Sequence, residues 1–250
     1  MTPRDAVAQL AALLQRDFGN DLVGLYLFGS LAAGGFHDGK SDVDLLAVLR
    51  RDLADGDELE RLRGLHARFV AERPEWVERI EVGYVSLAVL QTLAGERRGT
   101  IGAISPGEPL NVKEIDDGWL LNWASVCDAG ETILGPPPLE LAPVVTPEAW
   151  RAAVERQLEE WREHVRQPWV AYVPTQHGYT IATVSRALCA LETGRQVSKA
   201  EAVEWAAQRF PEEAAFIRET FARYRSDLRE PHRRTIAFVD RVADAAARSA

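Results

Sequence analysis

Gly29-Ser30, eleven intervening residues, and then Asp42-Val43-Asp44 followed by Leu45-Leu46 form the stretch of this 250-residue chain whose spacing carries chemistry. In an extended strand, side chains two apart share a face, so Asp42 and Asp44 would stand side by side. Two carboxylates that close repel, and burying them unpaired is costly; a divalent cation is the natural remedy. Glu81 lies on a later segment that alternates at period two, with Ile80 and Val82 taking the opposite, apolar face. If the two strands are neighbours, Glu81 joins the aspartates in a three-carboxylate cluster. Gly29-Ser30, at a strand end, supplies backbone N–H groups and a hydroxyl suited to gripping a phosphate.

A second motif overlaps the first. Gly34-Gly35-Phe36-His37-Asp38-Gly39-Lys40-Ser41 matches the phosphate-cradling pattern G-x-x-x-x-G-K-[ST] letter for letter. Such a loop needs a strand running straight into it and a helix starting at its Lys-Ser. Here Leu31-Ala32-Ala33 intervenes as a helical turn, and Leu45 to Leu49 is a short apolar run without helical polarity. Ser41 can still cap a helix. This rival predicts a helix after Lys40 and no role for Glu81.

The elements that must position these residues follow from periodicity. An amphipathic helix is expected over residues 4–18, with Val7, Leu10, Leu14 and Phe18 on one stripe. Buried strands are expected over 22–28 and 42–49, a helix over 56–72 and a strand over 77–85. An irregular stretch then reaches residue 117, and a helix runs from Trp119 toward Gly130. Gly135-Pro136-Pro137-Pro138 and Pro143 read as a stiff linker. Beyond Thr146-Pro147 everything reads as helix: one segment up to Pro168, one over 178–193 ending at Gly194, and one opened by the capping box Ser198-Lys199-Ala200-Glu201. A fourth starts at Pro211 and a fifth follows Pro231, which together make a bundle. The expected fold is α+β, with an N-terminal domain over 1–140 and an all-α domain over 146–250.

Composition removes other classes. At 46% hydrophobic and 27% charged, the chain is neither disordered nor a disulfide scaffold. No apolar run approaches the roughly 18–20 residues of a membrane span. The N-terminus has no signal-peptide core, so a cytoplasmic location is expected, with Cys127 and Cys189 as buried thiols. Residues 1–146 carry 13 Lys+Arg against 23 Asp+Glu, whereas residues 147–250 carry 16 against 15. That balance disfavours nucleic-acid binding and suits a cationic partner or metal ions.

Leu27-Phe28-Gly29-Ser30, Gly34-Gly35 and Ser41-Asp42-Val43-Asp44-Leu45-Leu46 resemble the signature of the DNA-polymerase-β-like nucleotidyltransferase superfamily. Arg186, Thr193-Gly194-Arg195, Ser198-Lys199, Ala202 and Trp205, with the Leu134-Gly135-Pro136 linker, resemble the helical C-terminal domain of the streptomycin/spectinomycin adenylyltransferases. The resemblance implies a polymerase-β-like domain and a helical bundle acting on ATP as co-substrate. It implies that Asp42 and Asp44 hold two Mg²⁺ ions on the ATP phosphates, and that Glu81 completes the metal site and acts as catalytic base. Gly29, Ser30 and Ser41 would contact the triphosphate, and Arg186, Lys199 and Tyr224 would add contacts from the second domain. Lys199 has independent support: behind the Ser198 cap it stands where free helix N–H groups already attract anions.

The bland readings are structural. His37 and His177 lack a second ligand at metal spacing and read as ordinary histidines. Trp150, Trp161 and Trp205 follow helical stripes and read as core, and packing is also the expectation for Trp119, Trp123, Trp169, Tyr172 and Tyr179. The resembling enzymes carry acidic residues ahead of the Arg186 position, whereas residues 169–179 here contain none. The sequence thus points to an ATP- and Mg²⁺-dependent nucleotidyltransferase adenylylating a hydroxyl of a small, cationic molecule of aminoglycoside or aminocyclitol type. The expected state is a monomer or weak oligomer without nucleic-acid or membrane partners. A non-catalytic nucleotide-sensing module and a transferase acting on a protein hydroxyl are the alternatives.

Overall fold

Runs of Leu, Val and Tyr bounded by glycine and aspartate make the central strands, and the helices on either face exist to cover them. The computed structural model describes residues 1–38, 41–53, 56–93, 95, 98–222 and 232–248. It divides into two compact units, Met1–Trp150 and Arg151–Ala250.

The first unit runs α1 (Pro3–Phe18), β1 (Leu22–Phe28), α2 (Gly29–Ala32), β2 (Val43–Leu49), α3 (Gly56–Glu72), β3 (Ile80–Ser86), α4 (Leu87–Thr92), β4 (Thr100–Ser105), β5 (Glu108–Glu114), α5 (Asp117–Ala129) and β6 (Glu131–Leu134). The strands form one sheet in the order β5-β4-β3-β2-β1-β6. β2 and β3 are parallel, bridged by α3, and the other pairings among the described residues are antiparallel. One face of the sheet presents Leu25, Leu27, Val43, Leu45, Val82 and Tyr84 to Leu10 and Leu14 of α1 and Leu62, Leu65 and Phe69 of α3. On the other face Trp123 of α5 meets Tyr26 edge-on at 6.3 Å between ring centroids. Gly83 leaves room there for Trp119, whose ring would lie 2.3 Å from a Cβ at that position.

Several segments differ from the sequence expectation. Residues 87–116 are not irregular: they hold α4 and the β4–β5 hairpin. β5 is an edge strand that buries only Leu110, with Asn111 and Lys113 half-buried and Val112 exposed, so its apolar signal is thin. β3 begins at Ile80 rather than residue 77, after a 3₁₀ turn at Pro74–Trp76 and the left-handed residue Glu78 (φ 57). A short strand, β6, precedes the Gly135 turn.

The second unit contains α6 (Pro147–His164, entering from the first), α7 (Pro174–Thr193), α8 (Lys199–Arg209), α9 (Ala214–Ala222) and α10 (His232–Arg248). α7 begins at Pro174, four residues earlier than its stripe suggests, and Pro211–Glu213 is a 3₁₀ turn ahead of α9. Ile181, Val184 and Leu188 of α7 are fully buried, as are Val239 and Val242 of α10. Trp119 and Trp123 belong to the core, whereas Trp169 (47% exposed) and Tyr172 (72% exposed) do not. Trp150, Trp161 and Trp205 are half-buried. Cys189 is buried and Cys127 half-buried, both as free thiols. Among the described residues no helix is long and apolar enough to cross a membrane.

Candidate active site

Three strands meet the solvent at one end of the sheet, and the motif residues gather there. The apolar run of β1 ends at Phe28, which is the register partner of Asp44 on β2. Asp44 is in turn the register partner of Glu81 on β3. Register partners on neighbouring strands stand about 4.8 Å apart with side chains on the same face, so these two carboxylates form a row beside the end of β1. Asp44, Glu81 and Asp42, which lies one residue before β2, are all half-buried.

Gly29 follows Phe28 at φ 68, and a Cβ there would fall 1.9 Å from Asp44 Oδ2. Only glycine allows this close approach of backbone to carboxylate. Gly29 also opens the helical turn α2, closed by Ala33 N–H donating to the Gly29 carbonyl at 3.0 Å, and Gly35 N–H donates to the Ser30 carbonyl at 2.9 Å. The Ser41 hydroxyl accepts from His37 N–H at 3.0 Å, and Ser41 N–H donates back to the His37 carbonyl at 2.8 Å. His37 is thus an exposed loop residue, and the buried His177 shares a hydrogen bond with Thr235 Oγ1 at 3.1 Å. The chain after Ser41 enters a strand, β2, where the G-x-x-x-x-G-K-[ST] reading requires a helix. That reading falls.

Among the described residues no three or more His, Cys, Asp and Glu side chains make a metal cage of their own. The donor set nonetheless fits Mg²⁺, a hard ion usually held by one or two carboxylates together with substrate phosphates and water. The Asp44–Glu81 row, with Asp42 upstream and Gly29 pressed against Asp44, is an arrangement of that kind.

One contributor carries no motif signal. Arg79, just ahead of β3, stacks its guanidinium over Trp76 at 4.6 Å from the ring centroid and donates to the Ser41 carbonyl at 3.3 Å.

In the second unit, Ser198 caps α8 in a reciprocal box with Glu201, so Lys199 is the first helical residue. Its ammonium sits 4.2 Å from the centroid of the Tyr179 ring, which packs against Trp161 at 5.4 Å. Arg186 is exposed on α7. Tyr224 lies outside the described residues.

Comparison with known proteins gives two regional matches. Residues 7–96 match the nucleotidyltransferase domain family, and residues 140–249 match the family described as aminoglycoside adenylyltransferase, C-terminal domain. No curated protein matches the chain. Among solved structures it is similar to the spectinomycin adenyltransferase AAD(9) from Enterococcus faecialis, solved with ATP and spectinomycin. The TM-score is 0.77 at 17% identity, covering 97% of this chain and 100% of that one. At that identity the likeness establishes a shared fold.

Proposed function

We propose that this chain, which matches the nucleotidyltransferase domain family over residues 7–96 and the aminoglycoside adenylyltransferase C-terminal domain family over residues 140–249, transfers the adenylyl group of ATP to a hydroxyl of an aminoglycoside or aminocyclitol. The observation that carries it is the in-register Asp44–Glu81 pair beside the Gly29 turn. The acceptor oxygen attacks the α-phosphorus, the bond to the bridging oxygen of the β-phosphate breaks, and pyrophosphate leaves. Glu81 takes the hydroxyl proton, Asp42 and Asp44 would hold Mg²⁺, and the turn from Gly29 to Ser30, with Ser41, would lie against the phosphates. Mg²⁺ bound there would neutralise charge developing on the phosphoryl oxygens.

Arg186 and Lys199 are the cations proposed for the phosphates in the second unit. Lys199 lies at a helix N-terminus, where backbone N–H groups and the macrodipole already favour an anion. A charge-assisted contact is worth about 1.5–3 kcal/mol, so Lys199→Ala should weaken MgATP binding by roughly 10–100-fold. Thermal stability should barely change. Equal affinities by calorimetry in variant and parent would remove Lys199 from the site.

The acceptor class rests on the matched C-terminal family and on the acidic balance of residues 1–146. Pyrophosphate release should appear with streptomycin, spectinomycin or a related aminoglycoside, and weaken as salt screens the attraction over a Debye length of roughly 8–10 Å. Turnover with neutral sugars alone, or with a protein hydroxyl alone, would leave an adenylyltransferase and discard the antibiotic acceptor.

A further inference from the structure

Asp42 stands one residue outside β2, so the strand ladder alone does not determine where its carboxylate meets the Asp44–Glu81 row. We propose that Arg79 is a positioning residue for that row, clamping the chain on both sides of Asp42 to the start of the strand that carries Glu81. The inference rests on the carboxylate site of the proposed function.

Both halves of Arg79 grip this segment. Its backbone carbonyl accepts from Val43 N–H at 2.9 Å, immediately after Asp42. Its Nη2 donates to the Ser41 carbonyl at 3.3 Å, immediately before Asp42, and pairs with the Asp38 carboxylate at 3.4 Å. The guanidinium is itself anchored. It lies over the ring of Trp76, which is 2% exposed and part of the core between the sheet and its helices. Arg79 N–H donates to the Trp76 carbonyl at 3.2 Å, and the left-handed Glu78 supplies the bend between the two residues. The loop end is closed by the His37–Ser41 hydrogen bonds, so the clamp acts on a preformed segment.

Arginine suits this task better than lysine. A planar guanidinium can stack on an aromatic face while its edge donates to a carbonyl and a carboxylate, whereas an ammonium is a compact point charge. Catalytic groups displaced by about 1 Å can lose roughly 10²-fold in rate, so a modest loosening of this segment is enough to show in kcat.

The test uses Arg79→Met, which keeps an apolar stem against Trp76, with Arg79→Lys as the conservative variant. Mn²⁺ binding is titrated by electron paramagnetic resonance on full-length protein carrying a non-hydrolysable ATP analogue, and steady-state kinetics and melting temperature are measured alongside. Arg79→Met should weaken Mn²⁺ binding about tenfold and lower kcat by about 10–100-fold, with the acceptor KM and the melting temperature near parent values. Arg79→Lys should recover part of both losses. Parent-like Mn²⁺ affinity in Arg79→Met, or a loss that merely follows the unfolded fraction, would overturn the clamp. If the parent binds Mn²⁺ but turns over no acceptor, the proposed reaction fails while the titration still judges Arg79. A parent that binds no Mn²⁺ refutes the clamp with the site.

Discussion

Asp44→Asn should abolish adenylyl transfer in a protein that still folds, and Asp42→Asn should do the same. Asn matches Asp in shape, so the close approach of Gly29 to position 44 survives the change. What disappears is a negative charge at the point where the site is proposed to hold metal. Metal-ion stabilisation of the developing charge is worth several kcal/mol. Losing roughly 4 kcal/mol of it slows turnover about a thousandfold. Pyrophosphate release and a thermal melt measured side by side decide the matter: near-parental turnover in either variant refutes that residue's assignment.

Glu81→Gln should retain ATP binding and lose turnover. General-base catalysis contributes typically about 10²–10⁴-fold, and that is the expected drop in kcat. Glu78 provides the internal control. Its carboxylate accepts a hydrogen bond from Gly107 N–H at the β4–β5 turn, a structural task away from the Asp44–Glu81 row. Glu78→Gln should therefore keep most of the activity. Full kcat in Glu81→Gln, combined with loss in Glu78→Gln, would transfer the base to Glu78.

Much of the candidate site's placement is legible because it sits on strands with strong local signals. The limits of β1 coincide with the apolar run 22–28, and Asp42-x-Asp44-Leu45-Leu46 leads into the next strand as its alternation requires. The Ser198 capping box placed Lys199 at a helix start, where the structure puts it. The adjacency of β2 and β3 stayed conditional, because alternation gives the face of a strand and says nothing about its neighbour.

The remaining features have either a weak sequence pattern or a non-local cause. β5 buries Leu110 alone on a sheet edge, and its second apolar residue, Val112, is exposed. β3 starts at Ile80 rather than at residue 77 because the positive φ of Glu78 interrupts the extended chain, a backbone feature that side-chain polarity does not signal. Arg79 matters through a contact with Ser41, far away in sequence, and no spacing rule connects the two. Trp169 and Tyr172 were expected to pack, yet their five-residue 3₁₀ turn leaves them exposed.

The parallel pairing of β2 with β3 bears on the order in which the molecule can assemble. The β4–β5 hairpin closes across a tight turn, and the helices form from local contacts. Asp44 and Glu81 become neighbours only when the whole of α3 and the turn after it have folded back to bring β3 alongside β2. Parallel strands require such a crossover, and the entropy of closing it must be overcome before any ladder contact is gained. The proposed reactive pair therefore depends on a pairing that is non-local in sequence. A chain in which β2 and β3 have not yet paired lacks the Asp44–Glu81 row altogether.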